Sequence, residues 1–158
     1  VSKESFFRNR DSVLNTNFYS HLDAENVCPL AWRLPKFEEW KDYIVYIEKK
    51  QKTTKKKIKS TETSFRYFSK ETDFFNKDNP LDIKKNGRVE KGELIIMFPG
   101  SDYWVEGAEN KLTHVHFLNK GLANIHSHSK DIFEDNIVLR MFKVKCVCKT
   151  DKTIGDKK

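Results

Sequence analysis

The sequence predicts an α+β domain with one main helix at about 36–50, short irregular antiparallel strands and long loops. Residues 94–98, "LIIMF", form an apolar run that is too short for a helix and stops at Pro-Gly, as a buried strand does. In residues 142–149 apolar or thiol side chains alternate mostly with lysines, which predicts a strand with one buried face. Four apolar residues recur at helical spacings of three, four and three, and they are Phe37, Trp40, Ile44 and Ile47.

The length of the chain, 158 residues, favours one domain with its own core. Twelve Phe, five Tyr and three Trp supply large side chains for that core. We expect the domain at 28–149, after an N-terminal docking segment at 1–27 and before a flexible charged tail at 150–158. No run of about eighteen apolar residues occurs, so no transmembrane helix is predicted.

The positive charge of the chain, +7, comes largely from seven lysines in the basic insert at 49–60. One interpretation is contact with an anionic partner, and the other is a solvated loop at the end of the helix. The insert lacks arginine and interleaved aromatic residues, which favours the loop and argues against a nucleic-acid partner. The lysines that would contact an anionic partner are Lys52, Lys55, Lys56 and Lys57.

The three cysteines, Cys28, Cys146 and Cys148, form no CxxC pair and no Cys/His zinc spacing. A bond between Cys28 and Cys146 would close a loop of nearly the whole domain and add roughly 4–5 kcal/mol of stability. It would also imply an oxidising compartment. Three free thiols in a reducing compartment fit the composition equally well.

The histidines are concentrated in one predicted β-hairpin, with Gly121 as a positive-φ residue in its turn. A three-residue turn at 119–121 pairs Val115 with Ile125 and turns every apolar pair to one face. Cross-strand imidazoles on the other face lie about 5 Å apart at Cβ, close enough to share a zinc or copper ion. The histidines on that face are His114, His116, His126 and His128.

Three interpretations of this histidine face remain open. It is a metal site, a patch that gains charge near pH 6.5, or a solvated sheet face that binds only adventitious Zn, Cu or Ni. We favour the last and expect no cofactor, because no carboxylate is clearly supplied to orient the imidazoles. Asp131, Glu134 and Asp135 are the acidic residues that could approach.

Two segments carry a resemblance to a known family. Residues 28–40, "CPLAWRLPKFEEW", resemble the signature C-P-x-G-W-R-L-P-T-x-x-E-W of the Fibrobacter succinogenes major paralogous domain, found in surface proteins of Bacteroidota. Residues 142–148, "FKVKCVC", resemble its closing F-S-V-R-C-V. This chain departs from the pattern at Lys36, which replaces the threonine that would cap the helix.

The resemblance implies a C-type-lectin-like fold, shared with formylglycine-generating enzymes, and export from the cell. It implies a disulfide between Cys28 and Cys146. It also implies framework roles, rather than site roles, for Trp32, Arg33, Pro35 and Trp40.

The function expected from these features is that of a non-catalytic exported module of a bacterial surface protein or assembly, outer-membrane associated, periplasmic or extracellular. Its loops would contact a protein or a surface glycan through Tyr103, Trp104 and Glu106, although core packing also explains both aromatic residues. One alternative is a structural accessory subunit of a surface or virion-like complex, in which Cys148 bridges to another chain. A second alternative is a metal- or anionic-polymer-binding protein. No enzyme is expected, because no paired carboxylates or Ser/His/Asp order stand out.

Overall fold

The computed structural model describes residues 18–85, 87–90, 93–95, 100–107, 110–118, 120–129 and 140–148. Two helices occur in these ranges, α1 (His21–Val27) and α2 (Phe37–Lys50). The strands are β1 (Trp32–Arg33), β2 (Lys57–Ser60), β3 (Phe65–Phe68), β4 (Arg88–Glu90), β5 (Glu93–Ile95), β6 (Gly100–Val105), β7 (Lys111–Leu118), β8 (Leu122–Ser129), β9 (Arg140–Met141) and β10 (Val147–Cys148).

The described chain is mostly β-sheet, so the predicted α+β, C-type-lectin-like fold is wrong. Its centre is a five-stranded antiparallel sheet in the order β2-β3-β8-β7-β6, flanked by small sheets of three and two strands. The sequence pattern placed the main helix correctly. It did not reveal that the chain after that helix forms a regular five-stranded sheet.

The helix α2 closes one face of the five-stranded sheet. It was predicted at about 36–50 and spans Phe37–Lys50. Lys36 supplies no side-chain cap, and the Glu39 carboxylate instead accepts the backbone N–H of Lys36 at 2.8 Å. Trp40, Ile44 and Ile47 are fully buried against the sheet, as their spacing predicted.

The hairpin of β7 and β8 has the predicted register, with Val115 opposite Ile125 and Phe117 opposite Ala123. The reason for its glycine differs from the prediction, because the φ angle of Gly121 is not in the left-handed region. A Cβ atom at Gly121 would lie 1.8 Å from the Ser69 carbonyl oxygen. Glycine is required here by the close approach of a neighbouring loop.

A second, smaller core lies on the other face of the sheet. Ser20 caps the helix α1, since its hydroxyl accepts the Asp23 backbone N–H at 3.3 Å, and the helix buries Ala24 in this core. A disulfide joins Cys28, directly after α1, to Cys146. This pairing was predicted, and it suggests an oxidising environment. Residues 18–27 of the predicted docking segment therefore contribute to the fold itself.

Two other predictions need correction. The described part of the predicted strand at 142–149, residues 142–148, is not one strand with a single buried face, because only Val147–Cys148 form a strand and Lys143 and Lys145 are buried as well as Phe142. Lys143 accepts the Trp104 N–H at 3.0 Å and donates to the Asp102 carbonyl at 3.1 Å, so this segment runs beside β6 and is covered on both sides.

The basic insert is not entirely a loop, since its last four residues form β2. The predicted strand at 94–98 is seen as β5, Glu93–Ile95, and residues 96–99 lie outside the described ranges. Residues 1–17 and the predicted tail at 150–158 also lie outside them. Within the described ranges, no helix has the length and apolar character needed to cross a membrane.

Candidate metal centre

The four histidines of the β7–β8 hairpin form one cluster on the sheet face opposite α2. The ring centroids of neighbouring histidines are separated by 4.5 to 5.6 Å, and His114 lies directly across the ladder from His126. The cluster is not a plain solvated face. His114 is only 1% exposed, and its ring stacks on Phe142 with centroids 4.7 Å apart.

Asp102 of β6 supplies the carboxylate that the sequence interpretation did not find. Its Oδ1 atom lies 3.2 Å from His114 Nδ1 and 3.4 Å from His116 Nδ1. Arg88 Nη1 lies 3.7 Å from its Oδ2 atom. The acidic residues suggested from the sequence, 131, 134 and 135, fall outside the described ranges. Asp102 precedes the predicted Tyr103-Trp104 strand, but only the β6–β7 register, which pairs it with His116, brings it to the cluster.

The Asp102 carboxylate is ionised despite its burial. Burial by itself would raise the pKa of Asp102, but the hydrogen bonds from His114 and His116 outweigh that effect and hold the pKa below its usual range. A carboxylate is therefore fixed behind the imidazole rings.

Two of the imidazoles are neutral at physiological pH. Burial lowers the pKa of His114 to about 4, against the opposing effect of Asp102. Burial and then the neighbouring imidazoles lower the pKa of His126 to about 3. A neutral imidazole offers one ring nitrogen with a free electron pair, which is the form that binds a metal ion.

The hydrogen bond to Asp102 determines which nitrogen of His114 is free. An ionised carboxylate can only accept, so His114 Nδ1 carries the proton and its Nε2 carries the electron pair. His114 Nε2 lies 3.0 Å from His128 Nε2. The Nε2 atom of His126 is buried without a hydrogen-bond partner among the described residues. One ring nitrogen from each of His114, His126 and His128 falls within 4.8 Å of the other two.

A second group, formed by Asp102, His114 and His116, is equally compact. Its atoms are already used in hydrogen bonds. His116 Nε2 accepts the Asn124 amide at 3.0 Å, while His116 Nδ1 faces Asp102. This second group orients His114, whose Nε2 atom is turned toward His128, and an ion bound by His114, His126 and His128 would replace that imidazole–imidazole hydrogen bond.

The residues suggested as loop contacts for a ligand are mostly internal. Tyr103 is fully buried in the core under α2, with its ring centroid 5.6 Å from that of Trp40. Trp104 is 2% exposed, and its Nε1 donates to the Tyr19 carbonyl at 2.7 Å. Trp104 does line a cavity of about 300 Å³ together with the exposed Glu106.

The suggested framework residues make structural contacts. Arg33 bonds both oxygens of the Glu39 carboxylate, at 2.7 and 3.0 Å. The Pro35 carbonyl accepts the Glu106 N–H at 2.8 Å, and Trp32 pairs with Cys148 between β1 and β10. Cys148, suggested as a link to another chain, is partly exposed and is not part of the disulfide.

The lysines of the basic insert lie in different settings. Lys56 forms an ion pair with the buried Glu48, and Lys57 begins β2. The Lys55 carbonyl accepts the Ser69 hydroxyl at 2.7 Å, and Lys52 has a left-handed φ of 55° after the helix. These four lysines are neighbours in the sequence, but the fold places them in separate local environments.

Comparison with known proteins adds no relative: no family model, no curated protein and no solved structure matches this chain. The resemblance to the Fibrobacter succinogenes domain stays a prediction.

Proposed function

We propose that this chain is an exported, non-catalytic binding module whose ligand is a transition-metal ion, zinc or copper. The observation that supports this most is the set of three converging ring nitrogens from His114, His126 and His128, with Asp102 hydrogen-bonded behind His114. Imidazole nitrogen suits both metals, and a carboxylate behind a ligating histidine is a recurrent feature of such sites.

The cost of leaving the cluster empty supports a metal ion over a purely structural role. His126 Nε2 is a buried polar atom without a hydrogen-bond partner in the described ranges. An unsatisfied atom of this kind costs about 1–3 kcal/mol, whereas coordination would use its electron pair. The ion would also separate His114 Nε2 from His128 Nε2, after His128 moves its proton to the other ring nitrogen.

Three protein ligands leave a fourth position open, since zinc prefers four. The half-buried His126 and His128 lie at this open side, away from Asp102 and His114, which are almost fully buried. A metal ion held in this way is accessible to water or to a donor atom of another molecule. This arrangement fits a module that presents a metal ion, or that exchanges it with a partner.

Export is supported by the disulfide between Cys28 and Cys146 and by the family resemblance. Display on a bacterial surface, in a larger assembly, is the setting that we propose for this module.

Zinc titration against a chromophoric chelator at pH 7 tests the proposal. We expect one ion per chain, and a loss of affinity of at least tenfold in each of His114→Ala, His126→Ala and His128→Ala. His21→Ala is the matched control, because His21 is the one histidine outside the hairpin and its substitution should leave the affinity unchanged. Weak binding that survives the double variant H114A/H126A would show an adventitious interaction and overturn the proposal. Circular dichroism verifies that each variant is folded.

A further inference from the structure

The strand β2 ends the five-stranded sheet, and no strand in the described ranges pairs with its outer edge. All four of its residues, 57–60, are exposed. The strand β3 separates this edge from β8, the nearer of the two strands that carry the proposed metal ligands. An edge strand offers unpaired N–H and C=O groups on which another extended chain can add.

The edge is held in place although its sequence is rich in lysine. At its start, the Glu71 carboxylate accepts the backbone N–H groups of Thr54 at 2.7 Å and Lys55 at 3.1 Å. At its end, Thr61 N–H donates to the Ser64 carbonyl at 2.8 Å. The strand is therefore preorganised, and a partner would not have to order it on binding.

The turn also determines which backbone groups face outward. Bonded and non-bonded pairs alternate along an antiparallel ladder, and Thr61 with Ser64 is a bonded pair. By this alternation the N–H and C=O groups of 57 and 59 point to β3, and those of 58 and 60 point to the free edge. An added strand would bond to Ile58 and Ser60.

The side chains beside this edge are cationic. Lys57 and Lys59 share one face of the sheet, and Arg66 of β3 lies directly opposite Lys59. These three residues line a groove of about 290 Å³ that also exposes Phe68. None of the described residues that line the groove is acidic. The electrostatic complement of this surface is an anion.

Protection of the β2 edge against self-association explains its lysines but not its exposed apolar residue. Two copies of β2 would bring lysines against lysines, so these residues oppose self-association. An exposed apolar side chain has no such role, yet Ile58 is 42% exposed and points to the opposite face from Lys57 and Lys59. These side chains oppose pairing with a second copy of β2 and complement a strand with acidic and apolar residues in alternation.

We propose that the outer edge of β2 binds an extended acidic segment of a partner protein as an added strand. Acidic residues of the segment lie beside Lys57 and Lys59, and an apolar residue lies beside Ile58. Main-chain hydrogen bonds at 58 and 60 hold the segment, and the alternation of its side chains selects it. The interaction requires no metal ion.

Fluorescence anisotropy with two labelled peptides tests the proposal on the full chain, with a chelator present. The first peptide alternates four Glu with four Val between Gly-Ser ends, and the second carries the same residues in two blocks. The first should bind at least tenfold more tightly, because only its side chains match the period of a strand. Equal binding of both peptides would reduce the edge to a general polyanion surface and overturn the proposal.

Two sets of variants locate the contact. K57E/K59E should abolish binding of the alternating peptide. The control K70E/K77E makes the same change in charge at exposed lysines outside β2 and β3, and it should change the affinity less than twofold. Ile58→Pro removes an outward N–H that the sheet does not use, so the fold should persist while binding is lost. Ile58→Thr keeps the N–H and should bind more tightly than Ile58→Pro.

The other possible occupants give different results. Pairing with a second copy would appear as a dimer in sedimentation at high protein concentration, and it would contradict the proposal. Preference for an oligomer of galacturonic acid over the alternating peptide would also contradict it, since a glycan cannot form the main-chain ladder. Retained peptide binding in Ile58→Pro, with the fold intact, would exclude strand addition.

Discussion

The two faces of the five-stranded sheet are both covered, but with opposite chemistry. On the face that meets α2, Tyr103, Val115 and Phe117 are fully buried in a dry apolar core. On the other face, the same two strands, β6 and β7, bury Asp102 and His114. Side chains alternate between faces along a strand, so one hairpin supplies both surfaces.

The two faces differ in whether their burial stabilises the fold by itself. The apolar face needs no explanation beyond the removal of hydrocarbon from water. The histidine face keeps an ionised carboxylate and uncharged imidazoles away from water, an arrangement that costs free energy unless every polar atom has a partner. The two covers differ as well, since a 14-residue helix closes the first face while α1 and a disulfide-bonded segment cover part of the second.

The largest expected effect concerns the cover of the histidine face. The disulfide closes a loop with a sequence separation of 118, so C28S/C146S should lower the free energy of unfolding by about 5 kcal/mol. Urea denaturation followed by tryptophan fluorescence measures this change. A loss below about 1 kcal/mol would mean that the second core holds α1 and residues 140–148 without the covalent bond.

The next effect concerns the apolar face alone. Phe117→Ala removes a fully buried ring that contacts Trp40 and Phe74, and it should cost about 3–5 kcal/mol of stability. The variant should still bind one zinc ion below its unfolding temperature, because its side chain points away from the histidines. Loss of zinc binding in the folded variant would show that the two faces are coupled.

A smaller effect should distinguish the two candidate ligand groups, the three histidines and the group that contains Asp102. Asp102→Asn removes the charge behind His114, which should weaken zinc binding by about 10–100-fold. The control is Asp82→Asn, an exposed carboxylate paired with Lys84 at 3.3 Å, which should leave zinc affinity unchanged. If Asp102→Asn abolished binding as completely as H114A/H126A, Asp102 would be a ligand itself, and the Asp102–His116 group would be the metal site.

The sequence predicted the apolar face better than the histidine face. Periodicity was sufficient for α2 and for the register of β7 with β8, because a one-residue slip would have turned Val115 toward the histidines. It was insufficient for Asp102, whose position depends on pairing between β6 and β7, and for the burial of His114 by Phe142 from a distant segment.

The wrong fold class has a related physical cause. Short motifs around Cys28 and Cys146 indicated the disulfide correctly, but a covalent link between two segments does not determine the strand order between them. The basic insert was also misinterpreted, because its lysines resemble a solvated loop. The regular structure of β2 depends on contacts outside the insert, because all four residues of β2 pair with β3 and the Glu71 carboxylate holds the backbone just before the strand.

The smallest expected effect is the pH dependence of the metal-free protein. The folded pKa values of His114 and His126, about 4 and 3, lie below the value of about 6.5 for an unfolded chain, so the unfolded state binds more protons. Stability is then highest above pH 6.5 and falls as the pH decreases toward 4, by about 1 kcal/mol for each buried imidazole between pH 6.5 and 5.5. Urea denaturation with a chelator present measures this slope, and His126→Gln should reduce it by the share of one imidazole. An unchanged slope in that variant would mean that the pKa of His126 is normal in the folded protein. The histidine face would then be hydrated, unlike the apolar face.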